Sequence, residues 1–114
     1  MDQSHEATSS HGITVEQRDA TTTVVLRGEI DAGQREAASQ CMVAVLQADG
    51  PVVLDTSAVT FIDSSGLAFL LQLQGVASDA QRPVVLRDPS GAVVDLLALV
   101  GLDTLFPRAE PQGV

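Results

Sequence analysis

The sequence predicts an α/β fold: a mixed, mostly parallel sheet of four to five strands with an antiparallel amino-terminal edge hairpin and three or more helices. Short β-branched runs alternate with amphipathic stretches through the second half of the chain, which is typical of right-handed crossovers between parallel strands. Near the amino terminus, two such runs are separated only by Asp19-Ala20, which predicts the hairpin. With 114 residues, 45 % of them hydrophobic, the chain is long enough for one folded domain.

The composition narrows the classes of function. The net charge is −9 and all six basic residues are arginine, which argues against nucleic-acid binding through phosphate neutralisation. Without lysine, Walker-type phosphate binding and Schiff-base chemistry are excluded. The acidic surface fits a partner with basic patches, although solubility alone also explains it.

The location of the protein is predicted from its cysteine content and its apolar runs. The single cysteine, Cys41, excludes an internal disulfide and fits a reducing compartment. No apolar run approaches the roughly 20 residues that span a bilayer, and residues 1–11 lack the features of an export signal. We therefore expect a cytoplasmic protein that does not bind membranes.

The first half of the domain should contain two strands and a helix. Residues 1–12 lack periodicity and are predicted to be a disordered tail, so that the domain begins at Ile13. Strands are predicted at 13–19 and 21–27, followed by a helix over 33–48. Asp31 and Gln34 resemble an acidic capping box at its start. The apolar stripe of that helix consists of Ala38, Cys41, Met42 and Val45, so Cys41 is predicted to be a core residue rather than a reactive thiol.

The second half should alternate strands and helices. A buried strand at 52–55 precedes a helix that begins at the two serines and continues to about Val76. A strand at 82–87 follows, with Pro83 near its start, and then a helix over 91–100. Residues 102–106 are predicted to form a short final edge strand. Residues 108–114 are predicted to be a frayed end, which places the domain at 13–107.

The segment Asp63-Ser64-Ser65-Gly66 lies where the helix after the central strand begins. A serine at this position is a natural N-cap, because its oxygen accepts from unpaired backbone N–H groups. The same hydroxyl must face solvent, so it is also open to a modifying enzyme. Phosphorylation there would add nearly two negative charges at the positive end of the helix dipole. An ordinary structural cap is the alternative interpretation.

Several kinds of chemistry are not supported. The histidines, His5 and His11, lie in the predicted tail, and the serine segment is not a Gly-x-Ser-x-Gly elbow, so serine hydrolysis is rejected. The carboxylates are dispersed, without the spacing of metal ligands. Asp55 ends a predicted central strand like a phospho-acceptor aspartate, but the chain has no lysine to complete such a site. We expect neither an enzyme nor a cofactor or metal.

The segment Val59–Leu67 closely resembles the signature of STAS domains, specifically the bacterial anti-sigma factor antagonists. Three further segments resemble that family in order and spacing: Leu26–Asp31, Val52–Asp55 and Gly101–Phe106. The resemblance extends from about Ile13 to Phe106. Two departures from it are Ala68-Phe69 after the signature and Val94-Asp95 in the last helix, where basic residues are common in the family.

The resemblance implies a partner-switching regulator. Ser64 would be phosphorylated by an anti-sigma factor that is itself a kinase, and a phosphatase would reset the protein. The unphosphorylated form would bind the anti-sigma factor and so free the sigma factor. Asp31 would lie near Ser64 and assist phosphorylation, whereas Asp63 and Ser65 would shape the loop that faces the kinase. The full predicted partner-binding set is Asp31, Asp63, Ser64, Ser65, Gly66 and Phe69.

Two other functions are compatible with the same fold. The chain could be a structural STAS subunit of an ABC-type lipid transport system, with the serine loop packed against the ATPase. It could also sense a small ligand, although the sequence offers no glycine-rich or aromatic pocket for one.

Overall fold

A computed structural model describes residues 12–108, which form one four-stranded sheet with helices packed on it. The strands are β1 (Gly12–Arg18), β2 (Thr21–Ile30), β3 (Val52–Ile62) and β4 (Val84–Arg87), in the order β1-β2-β3-β4. β1 pairs antiparallel with β2, and the other two pairings are parallel. The predicted fold class is confirmed. The predicted tails lie outside the described residues, except for Gly12 and Arg108.

The predicted edge hairpin is confirmed. Asp19 and Ala20 both have positive φ, 52° and 66°, as the two central residues of a tight hairpin with right-handed strand twist require. β2 is longer than the predicted 21–27 and continues to Ile30. Its alternate residues Val24, Leu26 and Ile30 are almost completely buried.

β3 is also much longer than the four-residue strand predicted from the apolar run. It continues through the polar segment after Asp55, and its pairing with β2 shifts register between Val25 and Arg27 and again between Gly28 and Glu29. At the first shift, Asp55 Oδ1 accepts hydrogen bonds from Ser57 N (3.1 Å) and Ser57 Oγ (2.7 Å). This local pairing lets the strand bulge and continue, which is why the polar residues do not end it.

Each of the strands β2, β3 and β4 is followed by an α-helix. A 3₁₀ turn at Ala32–Gln34 leads into α1 (Arg35–Leu46), and the others are α2 (Ser64–Asp79) and α3 (Gly91–Leu99). The crossovers through α1 and α2 run in the same direction across the sheet, so right-handed connections place both helices on the same face, where they contact each other. No helix among residues 12–108 is both long and apolar enough to cross a bilayer.

The predicted strand at 102–106 is wrong. This segment forms turns, with Leu105 N donating to Leu102 O (3.1 Å), and Phe106 is 1 % exposed. Gly101, at φ 75°, redirects the chain after α3. The sheet contact comes two residues later, where Arg108 bridges Leu86. The apolar residues of this segment therefore fill the core and do not extend the sheet.

The core is mainly aliphatic, as the composition requires, and includes Cys41 at 3 % exposure. Burial raises the pKa of its thiol to about 12, because the apolar surroundings disfavour the thiolate. The prediction that Cys41 is a core residue is confirmed.

Arg82 is a buried cation at the end of the sheet where the parallel strands begin. It is 8 % exposed, and its guanidinium donates to Val45 O (2.6 Å) near the end of α1 and to Gly50 O (2.7 Å) in the loop before β3. A third contact reaches the hydroxyl of Thr22 at 3.4 Å. The positive charge lies where the dipole of α1 is negative, so Arg82 fastens the helix, the loop and β2 together.

Replacing Arg82 with Met should lower the free energy of unfolding by about 3 kcal/mol, because the buried carbonyl group of Val45 and the partly buried one of Gly50 lose charged donors. Urea denaturation would measure the change. Arg18→Met, at an exposed position of β1, is the control and should change stability by less than about 0.5 kcal/mol. Equal effects of the two substitutions would contradict the role given to Arg82.

Candidate functional site

The candidate site lies where β2 and β3 end side by side. Ile30 pairs with Ile62 at the last step of the parallel ladder, so the next residues, Asp31 and Asp63, leave the sheet at the same edge. Asp63 N donates to Ile30 O at 3.3 Å and joins the two exits directly. The carboxyl edge of parallel strands is where α/β proteins gather functional groups.

Asp63, and not a serine, caps α2. Its Oδ1 accepts from Ser65 N (2.9 Å) and Gly66 N (3.2 Å), while its backbone is extended at φ −112° and ψ −167°. The predicted serine N-cap is therefore wrong by one residue. A carboxylate replaces the hydroxyl because it accepts two N–H groups and adds a negative charge at the positive end of the helix dipole.

Because Asp63 supplies the cap, neither serine hydroxyl takes part in it. Ser64 is the first residue of α2 and Ser65 the second, and both are exposed. The prediction that the Ser64 hydroxyl faces solvent at the mouth of this helix is confirmed. The hydroxyl is positioned by a rigid element but is not needed to hold that element together.

Asp31 caps the neighbouring 3₁₀ turn in the same way. Its Oδ1 accepts from Gly33 N (2.8 Å), and Gln34 Oε1 accepts from Asp31 N (2.9 Å). The predicted capping box is confirmed. Asp31 lines the same groove as Ser65, the residue next to Ser64, so the two predicted site segments are brought together.

Gly66 allows this close packing. A Cβ at this position would lie 2.8 Å from Ile30 O and 2.7 Å from Ile62 Cγ1. The first turn of α2 is therefore in direct contact with the end of β2. Of the predicted site residues, Gly66 is the one that fixes the geometry of the edge and is itself buried.

A groove of about 590 Å³ runs from this edge between α1 and α2. Its upper end, the one nearest this edge of the sheet, is formed by Asp31, Arg35 and Ser65. The rest is mainly apolar, lined by Ile13, Ile30, Ala38, Met42, Val43, Ala68 and Phe69. Sequence reasoning missed this groove. The sequence feature that could have indicated the groove is Val43, an apolar residue on the outer side of α1, outside the stripe assigned to the core.

The two phenylalanines near the edge have opposite environments. Phe69, predicted to contact a partner, is 6 % exposed and belongs to the hydrophobic core, although part of it lines the groove. Phe61 is 49 % exposed, opposite Glu29 in the ladder. The alternation along β3 turns Phe61 away from Ile62 and the core, a placement that the four-residue strand predicted from sequence did not reveal.

The described residues offer little for metal binding. Among residues 12–108, no three His, Cys, Asp or Glu side chains are grouped so that they could hold a metal ion. Asp55, considered as a phospho-acceptor, is engaged with Ser57 within β3. What the edge provides is the exposed Ser64 next to the capping Asp63, and a groove beside it that Asp31 and Ser65 help to line.

Comparisons with known proteins agree with this geometry. A family model described as "Mlab, STAS domain" matches residues 13–107. An anti-sigma factor antagonist from Mycobacterium paratuberculosis is 28 % identical, with 88 % of this chain and 86 % of that one covered and a TM-score of 0.72. A comparison with curated proteins finds no match.

Two further solved structures are similar in fold. The anti-sigma factor antagonist SpoIIAA in its unphosphorylated form is 21 % identical, with 88 % of this chain and 90 % of that one covered and a TM-score of 0.73. The Bacillus cell fate determinant SpoIIAA in the phosphorylated form is 20 % identical, covering 88 % and 93 % of the chains with a TM-score of 0.66.

Gly66→Ala should lower the free energy of unfolding by about 1–3 kcal/mol, because the new methyl group overlaps the carbonyl oxygen of Ile30. This loss should exceed the gain in helix propensity of roughly 1 kcal/mol. Gly75→Ala, in the same helix, is the matched control: its Cβ would meet nothing within 4 Å, so it should stabilise. Both are measured by urea denaturation. Stabilisation by both substitutions would contradict the close packing.

Asp63→Ala should destabilise the protein by about 1 kcal/mol through loss of the cap, and Asp63→Asn by only a few tenths, because the amide oxygen still accepts both N–H groups. Ser64→Ala should have almost no effect on stability. Thermal unfolding of the three variants tests this assignment, and it would be wrong if Ser64→Ala were the most destabilising.

Proposed function

The chain belongs to the STAS domain family, and we propose that it is an anti-sigma factor antagonist that works by partner switching. In its unphosphorylated form it binds an anti-sigma factor with serine kinase activity, in the cytoplasm. Phosphorylation of Ser64 releases that partner, and a phosphatase restores the binding form. The protein acts by binding and carries out no catalysis of its own.

The observation that carries this proposal is the separation of Ser64 from the cap. The helix start is held by Asp63, so the exposed Ser64 hydroxyl can enter a kinase active site without breaking a hydrogen bond that α2 needs. A serine that capped the helix would have to give up that role each time it was modified. Here Asp63 caps the helix, and the adjacent Ser64 is available for modification.

The effect of a phosphate follows from its surroundings. It would add nearly two negative charges at the first residue of α2, where the helix dipole is favourable. Two N–H groups of that turn already donate to Asp63, and the carboxylate repels the phosphate, so the net gain is small. The domain should therefore remain folded while its surface changes.

The consequence is expected at the partner. A dianion buried without a counter-charge in an interface costs about 3–5 kcal/mol, which corresponds to between about two and four powers of ten in Kd. The similarity to SpoIIAA, solved in both an unphosphorylated and a phosphorylated form, supports a switch of this kind. The 28 % identity to a mycobacterial antagonist supports the same class of function.

A second candidate function is compatible with the same fold. The matching family model is named for Mlab and not for the anti-sigma factor antagonists. The chain could thus be a structural STAS subunit that binds the ATPase of an ABC-type lipid transport system. In that case the edge around Ser64 would form a permanent contact, and no phosphate would be required.

The proposal is tested with a cognate anti-sigma factor kinase. Incubation with ATP should label the wild-type protein at Ser64, located by mass spectrometry, and should not label Ser64→Ala. Ser64→Asp should fold normally and bind the kinase at least tenfold more weakly, as the added charge opposes docking. Ser65→Ala is the control and should still be labelled.

Absence of labelling in the wild type, or equal labelling of Ser64→Ala, would contradict the switch. Co-purification with a transporter ATPase, unaffected by Ser64→Ala, would favour the second candidate instead.

A further inference from the structure

The groove between α1 and α2 is not explained by the chemistry of Ser64. Its volume of about 590 Å³ lies within the range of ligand pockets, roughly 300–1,000 Å³. The charged residues that line it, Asp31 and Arg35, are both at the end near Ser65. Beyond that end the lining is Ala38, Met42, Val43 and Phe69, with Ser39 and Gln72 along the sides.

An apolar stripe continues from the groove along the outside of α1. Val43 is 53 % exposed and Leu46, close to one turn further on, is 59 % exposed. Ser39, Val43 and Leu46 follow one another at i, i+4 and i+7, so they lie on the same side of the helix. Single exposed apolar residues are common, but these are continuous with an apolar groove and lie along one line.

We propose that an amphipathic helix of the anti-sigma factor docks in this groove, with its apolar face against Met42, Val43 and Phe69 and with basic residues along its flanks. This inference depends on the function proposed above and identifies the surface by which the same partner is held. A helix that lies between two helices fills such a groove with side chains spaced at i, i+3 and i+4.

Two observations favour a helix over a small molecule. The apolar stripe extends past the groove to Leu46, which is not among the residues lining it, and an elongated occupant such as a helix would cover both, whereas a small molecule would cover the groove alone. The basic flanks follow from the overall charge: the chain carries a net charge of −9, whereas the two charged residues that line the groove, Asp31 and Arg35, offset each other. A basic partner would be attracted to this surface.

The position of the groove relates docking to the switch. Ser65 forms part of its upper end, so a phosphate on Ser64 would stand beside the place where the docked helix enters. Docking and phosphorylation therefore use neighbouring but different residues. Substitutions on α1 should weaken binding while leaving the serine and its cap unchanged.

The test measures binding and phosphorylation with the same anti-sigma factor kinase. Val43→Asp should raise Kd at least tenfold by isothermal titration calorimetry and raise KM for Ser64 phosphorylation similarly, with kcat within twofold of wild type. The matched control is Leu99→Asp on α3, where Leu99 is 83 % exposed and does not line the groove. This control should change Kd by less than twofold.

A second pair of variants fills the groove without adding charge. Ser39→Trp places a bulky side chain within it, whereas Ser78→Trp places the same side chain on an exposed turn of α2 outside it. Only Ser39→Trp should weaken binding tenfold or more. Circular dichroism establishes that all four variants are folded.

The results separate this inference from the proposed function. If wild type is labelled at Ser64 but Val43→Asp and Ser39→Trp bind within twofold of wild type, the groove is not the docking site and the switch stands. If wild type neither binds nor is labelled, the proposed function itself fails. A tenfold loss in both groove variants, with both controls unchanged, supports the docking site.

Discussion

The arrangement of the molecule depends on the contact between the end of β2 and the start of α2. The carbonyl group of Ile30 receives the N–H of Asp63 at 3.3 Å and lies against Gly66, where a side chain would overlap it. The parallel register that pairs Ile30 with Ile62 makes this contact possible. It sets the direction of α2, the position of Ser64 and the width of the groove between α1 and α2.

Around this contact, the side chains that cap the helical segments are not the exposed serines. Two aspartates, Asp31 and Asp63, satisfy the N–H groups at the starts of their helical segments. Carboxylates perform this task well because they accept more than one N–H group and favour the helix dipole. The adjacent serines are then not required for capping and remain exposed, so a chemical change at Ser64 need not alter the fold.

Much of this could be predicted from the sequence, because periodicity and capping patterns depend on neighbouring residues. The hairpin at Asp19-Ala20, the capping box of Asp31 and Gln34, and the start of α2 near the serines were all anticipated. The length of β3 was not, because its bulge depends on a local bond between Asp55 and Ser57 and on pairing with a distant strand. The segment 102–106 was wrongly predicted to be a strand for a similar reason. Phe106 packs in a core formed by residues distant in the sequence, and sequence patterns do not show that packing.

The opposite end of the sheet has a consequence for how such a domain can diversify. Arg82 ties α1, the following loop and β2 together by bonds that are remote from the capped edge. The fold is thus held at one end of the sheet by Arg82, while the exposed serines lie at the other end. Exposed residues of the capped edge, such as Ser64 and Ser65, can therefore change without loss of these bonds, whereas Asp63 and Gly66 at the same edge are constrained by the cap and the close packing.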